Sequence, residues 1–522
     1  MPHCRVVCIA AGAIFAWLPA CAPVGPDFVK PDAPAVTEWP EEYRAEFEFS
    51  PQDLAQWWQV LNDPVLNNLI TLAHGRNNNL KIAGLRVMES QAILGIAIGN
   101  QYPQSQLAFG DSTALGLSES NANTAGGGDL DYIQHNLGLS VSWEIDFWGR
   151  FRRGIEAADA GLFASIANYD DALVLLTAQV ADAYTILRTT EEQLRIAREN
   201  VVIQERSYEI TDVIFRSGNG NELDMQRAKT LLLSTRSSIP ALETSERQAQ
   251  NALSTLLGML PGDLYALLGE EGSIPAIPDR ILVGVPADML RQRPDVRRAE
   301  LFAMSQNALV GVATADLYPS FSLTGSLGLA AAGNTGTTRT GDSGLGELFS
   351  AESLTYAIGP SFVWPFFNYG RIENNIRVED ARLQQALVQY RETVIQAARE
   401  VDDAMIGFVG SQRQDVLLDQ TVQSALRSSQ LSLIRFREGF ADYQRVIDAQ
   451  QSQIAQQNRY VTNRGTAIRS LIAVYRALGG GWQSNANTDF VDENTRKQME
   501  QRTDWDELLE LDREDLTGPG LY

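Results

Sequence analysis

Every second residue from Leu137 to Phe147 is apolar or aromatic: Leu137, Leu139, Val141, Trp143, Ile145 and Phe147. Asn136, Gly138, Ser140, Ser142, Glu144 and Asp146 take the alternate places. A period of two predicts a strand with two unlike faces. The pattern returns as Phe321, Leu323, Leu327 and Leu329 against Ser322, Thr324, Ser326 and Gly328, and then as Tyr356, Ile358, Phe362 and Trp364. Leu107 and Phe109 mark a fourth, weaker strand. Two-faced segments of about ten residues with aromatics at their ends are the pattern of a transmembrane β-barrel. Four strands are too few to enclose an open lumen, so several chains must combine. The Gly-, Asn- and Thr-rich stretches 118–129 and 333–346 are expected as the exposed loops of two hairpins.

On either side of the strands the period becomes helical. No proline interrupts Ile155 to Phe215. Ala157, Ala160, Ala164, Ala167, Val174, Ala178 and Ala181 form a seam of small residues at steps of three, four or their sum. A second stripe, Ile166, Tyr169, Leu173, Leu176, Val180, Ala183 and Leu187, returns later as Leu387, Tyr390, Val394, Ala397, Val401, Ala404 and Phe408. Two seams on one helix predict neighbours on both sides. About sixty helical residues span roughly 90 Å, more than a globular core covers, so a curved wall of helices is expected.

The chain is written twice. Tyr102-Pro103 recurs 216 positions later as Tyr318-Pro319, and Ala83, Leu85, Ala92 and Gly95 recur at the same offset as Ala299, Leu301, Ala308 and Gly311. Gly149-Arg150 recurs 221 positions later as Gly370-Arg371, as do Phe215-Arg216 as Phe436-Arg437 and Leu257-Gly258 as Leu478-Gly479. Two domain-sized halves are therefore expected in pseudo-equivalent places. The divisions read from the sequence are a signal segment 1–20, an anchored segment 21–61, repeats 62–260 and 286–482 around a linker 261–285, and an acidic tail 483–522.

Composition narrows the function. The 522 residues carry a formal net charge of -23, which repels nucleic acid and anionic membrane surfaces and predicts no nucleic-acid partner. Arg5, an apolar run from Val6 to Trp17 and then Leu18-Pro19-Ala20-Cys21 have the layout of a secretory signal ending in a lipobox. Processing would leave Cys21 as the new amino terminus, acylated with chains such as palmitate and the sole remaining thiol. Two or more acyl chains at about 0.8 kcal/mol per buried CH2 anchor a protein stably. No later segment has the 18 or so uninterrupted apolar residues of a membrane helix, so a membrane crossing must use strands. Catalysis finds no motif: His74 and His135 belong to no metal-spaced cluster, and no phosphate loop or nucleophile elbow is present. The expectation is a non-enzyme without cofactor or metal.

The Cys21-to-Phe28 run CAPVGPDF, Trp57-Trp58 with Asp63-Pro64, Arg293-Pro294-Asp295, the paired Tyr-Pro and Gly-Arg dipeptides and the segment Gly439 to Gln450, in this order, resemble the TolC-like outer-membrane efflux factors. The likeness runs from Cys21 to about Trp482 and is closest to the lipoprotein branch that serves resistance-nodulation-division pumps. It implies a mixed α/β membrane protein, a homotrimer whose four strands per chain make one twelve-stranded outer-membrane barrel, continued by a long periplasmic α-helical barrel. It further implies tips at Gly218 and Gly439 that dock a periplasmic adaptor protein, an inner-membrane transporter beyond it, and outer-membrane lipid around the strands. Asp448 stands where the family has its gating aspartate, and three copies would ring one opening with carboxylates. Where relatives often have an apolar constriction one turn earlier, this chain has Gln444, beside Arg445. Arg445 is expected to pair with Asp442 or Asp224 and tie the aperture by charge. The implied function is small-molecule efflux across the outer membrane. A type I protein-secretion duct and a non-conducting periplasmic spacer are the alternatives. The tail, with eleven acidic residues against four basic ones, is expected to be disordered or to form a short helix around Trp505 to Leu511.

Overall fold

The computed structural model describes residues 23–32, 47–49, 54–118, 120, 130–262, 264–269, 272–277, 281–283, 291–334, 344–485 and 489–509. Cys21, most of the two expected hairpin loops and the end of the tail lie outside the described residues. The elements in chain order are β1 (Phe47–Phe49), α1 (Pro64–Arg76), α2 (Asn78–Gly99), β2 (Ser105–Gly116), β3 (Asp131–Ile145), α3 (Arg150–Arg216), α4 (Glu222–Leu256), α5 (Tyr265–Leu268), β4 (Ile281–Val283), α6 (Pro294–Ala315), β5 (Ser320–Asn334), β6 (Leu354–Val363), α7 (Arg371–Arg437), α8 (Tyr443–Ala477) and α9 (Glu493–Glu500). The duplication is written in these lengths: α2 and α6 have 22 residues each, α3 and α7 have 67, and α4 and α8 have 35. It extends to single contacts. Trp143 donates its indole N–H to Gln101 O at 3.1 Å, and Trp364 donates to the equivalent Leu317 O at 3.0 Å.

The chain forms two compact units, and each draws on both halves. The first comprises Met1–Pro31, Glu89–Phe163 and Glu300–Val388 and holds an antiparallel sheet in the order β2-β3-β5-β6. Cross-strand partners share a face. Leu137 opposite Leu329 and Leu327 opposite Tyr356 belong to an apolar face that includes Leu139, Val141, Trp143, Phe321, Ile358 and Phe362. Many of these side chains are exposed, Leu139 at 59% and Ile358 at 77%, as expected of a surface that meets lipid and not water. The other face carries Gln134, Asn136, Ser140, Ser142, Ser322, Thr324 and Ser326.

The weak fourth strand is a full twelve-residue partner of β3. Leu107 and Phe109 pair with Ser140 and Gly138 and lie on the polar face, Phe109 across Gly138. The apolar face of β2 consists instead of the mostly small residues Gln106, Ala108, Gly110, Ser112 and Ala114. The opposite edges of the sheet, β2 and β6, pair with nothing further among the described residues.

The second unit comprises Asp32–Met88, Ala164–Ala299 and Gln389–Tyr522. Its helices bury the stripes expected of them: Ile166, Tyr169, Leu173, Leu176, Val180 and Leu187 on α3, and Tyr390, Val394, Ala397, Val401 and Phe408 on α7. Asp63 caps α1 by accepting from Val65 N and Leu66 N, with Pro64 in the first turn where no N–H is needed. Trp57 stacks on Tyr475 with centroids 5.1 Å apart, and Phe47 of the small parallel pair β1·β4 packs on Phe408 at 5.5 Å.

Disorder in the tail is not what residues 489–509 do. Asp492 caps α9 through Thr495 N at 3.1 Å and lies 3.2 Å from Lys81 Nζ. Phe490, Val491, Met499 and Leu509 are buried, and Phe490 meets Tyr169 edge to face at 5.1 Å. Gly84 makes this possible, since a Cβ there would stand 1.9 Å from Phe490 O. The short helix falls at 493–500, and the stretch expected as helix holds a 3-10 turn, Asp506–Leu509. The reason is physical: a few apolar residues with a fitted receptor outweigh an acidic composition.

Candidate functional site: the helix tips

In the second unit, two helical hairpins turn at equivalent glycines. Gly218 and Gly439 have φ of +76° and +80°, a left-handed conformation that glycine adopts without a Cβ penalty. After each, the chain closes the helix with the same pair of bonds: Gly218 N to Phe215 O and Asn219 N to Ile214 O, then Gly439 N to Phe436 O and Phe440 N to Arg435 O. These are Schellman caps. Asn221 then starts α4 by accepting from Leu223 N at 3.0 Å. Both expected tip residues therefore lie on tight, equivalent turns.

The hairpins are held together by a cluster of Ala228 and Leu231 from α4 with Tyr443, Val446 and Ile447 from α8, flanked by Tyr208, Leu433 and Phe436. Phe436 and Tyr443 meet with centroids 5.0 Å apart, and burial pushes the Tyr443 hydroxyl up to about 12. Tyr443, Val446, Ile447 and Gln450 recur at three- and four-residue steps and are buried, so helical geometry turns Gln444, Arg445 and Asp448 to the opposite, exposed side. Gln444 Nε2 donates to Asp448 Oδ1 at 2.8 Å, one turn apart. Arg445 Nε lies 3.9 Å from Asp442 Oδ1, with both side chains 73% exposed. Asp224 instead stands 4.0 Å from Arg227. The three expected gate residues thus occupy one face of one helix, with their charges in water.

Sequence reasoning missed what lies behind that face. Going up α8 from the tip, Gln450 Nε2 donates to Ser207 Oγ at 2.8 Å and Gln453 Nε2 to Asn200 Oδ1 at 3.2 Å. Asn200 Nδ2 donates in turn to Gln457 Oε1 at 2.9 Å, and Gln193 Nε2 to Thr462 Oγ1 at 3.1 Å. Ser207, Gln204, Asn200, Gln450 and Gln453 are all buried. Here α3 and α8 meet through amides and hydroxyls, and higher up Arg469 pairs with Asp182 at 2.6 Å. The signal was present as Gln450, Gln453 and Gln457 at helical spacing, but only the partner helix distinguishes such a stripe from a solvated one.

Among the described residues no group of three His, Cys, Asp or Glu side chains is placed to hold a metal ion. The tip offers exposed carboxylate, amide and guanidinium groups on rigid helices, an arrangement suited to meeting a solute or a partner.

The family described as outer membrane efflux protein matches this chain in two stretches, residues 69–259 and 285–480. The pyoverdine export outer membrane protein OpmQ of Pseudomonas putida is 29% identical over 440 residues, 83% of this chain and 89% of its own. The probable outer membrane lipoprotein SilC of Salmonella typhimurium is 28% identical over 480 residues, 89% of this chain and 96% of its own. The solved structure of the outer-membrane channel OprN superposes with a TM-score of 0.81 at 30% identity, covering 88% of this chain and 99% of that one. The resemblance read from the ordered motifs is borne out: the chain belongs to the outer membrane efflux protein family and has the fold of its channels.

Proposed function

We propose that this chain is the outer-membrane duct of a tripartite efflux system, working as a homotrimer with a periplasmic adaptor protein and a resistance-nodulation-division transporter of the inner membrane. The observation that carries this reading is the sheet: one exposed apolar face and two open edges on four strands, which three copies would complete as a twelve-stranded barrel. In this reading Cys21, acylated after removal of 1–20, anchors the segment 21–61. Repeats 62–260 and 286–482 line the tunnel around the linker 261–285, and residues 489–509 of the acidic tail pack on the first repeat through Phe490. A relative named as an outer membrane lipoprotein supports the anchor. The cargo is a small molecule, in keeping with a relative named for pyoverdine export.

The turns at Gly218 and Gly439 dock the adaptor, and Asp448, Gln444 and Arg445 set the aperture. Three Asp448 carboxylates around one opening favour cations. Gln444 bonds to Asp448 and supplies a polar rim in place of an apolar constriction. Single-channel conductance in planar bilayers tests the reading. Small cation-preferring currents are expected from the native chain, with larger currents from Asp448→Ala and Arg445→Ala. Trimeric, inserted protein without current in any variant would refute it.

A further inference from the structure

The duplicated sequence places two kinds of seam around the sheet. Inside one chain the halves meet where β3 pairs with β5, and at the helix end of that seam Trp148 stacks on Tyr318, centroids 4.5 Å apart and planes at 22°. The Trp148 indole N–H also donates to Pro319 O at 2.8 Å. The equivalent of Trp148, again directly before a Gly-Arg pair, is Tyr369, and the equivalent of Tyr318, again directly before proline, is Tyr102. Both are exposed, at 102% and 63%, and they stand beside opposite edges of the sheet, next to β6 and β2. A stack that is complete within the chain thus has its two equivalent halves beside the sheet's two edges.

The strand faces give the register of the second seam. One residue separates Pro319 from the first apolar-face side chain of β5, Phe321, whereas two separate Pro103 from Gln106. The extra residue, Gln104, accepts from Glu144 N at 2.7 Å outside the strand. Inside the strands the offset between β2 and β5 is therefore 215 and not 216, while β3 and β6 differ by 221. These offsets carry the in-chain pairs Leu137↔Leu329 and Val141↔Gly325 to Ile358 opposite Ala114 and Phe362 opposite Gly110. Each sets a large apolar-face residue of β6 against a small one of β2, as Leu137 already packs beside Gly110 within the chain. Without the extra residue, apolar-face positions of β6 would face polar-face positions of β2, which the pleat forbids.

We propose that copies of this chain join by β6 of one pairing antiparallel with β2 of the next, Ile358 opposite Ala114, and that Tyr369 stacks on Tyr102 of the next copy as Trp148 stacks on Tyr318. This rests on the three-copy barrel proposed above and specifies its seam. The ion pairs are not repeated. Arg150 lies 3.7 Å from both Glu144 and Asp316, but their equivalents at the second seam are Pro365 and Asn100. The seam between copies is held by aromatic and apolar contact.

The test is oxidative cross-linking of the full-length protein in outer membranes. Directly opposed antiparallel residues are close enough for a disulfide. Ile358→Cys with Ala114→Cys is expected to give covalent dimers and trimers on a non-reducing gel. Ile358→Cys with Thr113→Cys, one residue out of register, should give none, and the single variants, which keep every native thiol, set the baseline. Cross-linking of the Thr113 pair, or of neither pair, overturns the register. Conductance of the same preparations separates the two levels: conducting trimers with the wrong cross-link leave the channel reading intact, and absence of conducting trimers removes both. For the stack, Tyr369→Ala and Tyr102→Ala should each lower the temperature at which the trimer dissociates in detergent, and the double variant no further than the larger single loss. Additive losses would overturn the stack.

Discussion

Helices α3 and α8 pack closely where Gly465 faces Thr189. A Cβ at 465 would lie 2.4 Å from Thr189 Oγ1, 3.0 Å from Cγ2 and 3.2 Å from Cβ. The first two atoms cannot easily swing away, because Thr189 is β-branched within a helix and its hydroxyl donates to Thr185 O at 2.7 Å. Gly465→Ala gains about 1 kcal/mol of helix propensity, but overpacking at such distances costs about 1–3 kcal/mol. The single variant should therefore be destabilised by about 1 kcal/mol. Thr189→Ala removes Oγ1 and Cγ2 and leaves only the 3.2 Å contact. In that background Gly465→Ala should become stabilising by up to about 1 kcal/mol, a coupling of about 2 kcal/mol between the two sites. Thermal loss of helical circular dichroism in detergent, at one scan rate for all four proteins, measures the cycle. If Gly465→Ala alone raised the melting temperature, the close packing of α3 on α8 would be wrong. Since α8 carries Gln444, Arg445 and Asp448, the destabilised single variant should also conduct differently from the double.

Arg293 is 7% exposed along its side chain and bridges Asp295 at 2.7 Å and Glu400 at 2.9 Å while donating to Ala477 O. Arg293→Met leaves both carboxylates without their partner, and because they are partly exposed, at 22% and 39%, a loss of about 1–3 kcal/mol and of heat-resistant trimer is expected, with Arg293→Lys recovering part of it. Phe490→Ala removes the tail's main anchor at a cost of about 3 kcal/mol, and limited proteolysis should then cut the chain between residues 485 and 509 while sparing the rest. His74, bonded to Thr177 at 2.8 Å, is pushed down to about 4 from 6.5 by burial. It is held neutral in the fold, so its contribution is present above pH 6.5 and lost as pH falls from 6.5 to 4, at most about 3 kcal/mol. Denaturation midpoints at pH 7 and pH 4.5 should differ by less in His74→Gln than in the native chain.

The strands and long helices were legible because each buries or exposes whole stripes, and a stripe repeats at its own period. Tyr443, Val446 and Ile447 at helical steps mark the buried side of α8, a stripe present in the sequence that was not read from it. The face of β2 was not legible, since a single residue beside Pro103 exchanges the faces of every position after it. Leu107 and Phe109 therefore resemble lipid-facing residues and lie with Ser140 and Gly138. The tail was misread from its charge. The packing of Phe490 depends on Gly84 and Tyr169, hundreds of positions away, and no local composition reports such a receptor.

The amide ladder between α3 and α8 has a thermal consequence. A joint of packed methyl groups exposes apolar surface when parted, which raises the heat capacity and makes its strength depend on temperature. Parting Asn200 and Ser207 from Gln450, Gln453 and Gln457 exposes mainly polar surface, whose heat-capacity contribution has the opposite sign. The ease with which these helices separate near the tip should therefore change little between a cold and a warm environment, while the buried apolar stripes of α3 and α7 follow the steeper temperature dependence of apolar burial.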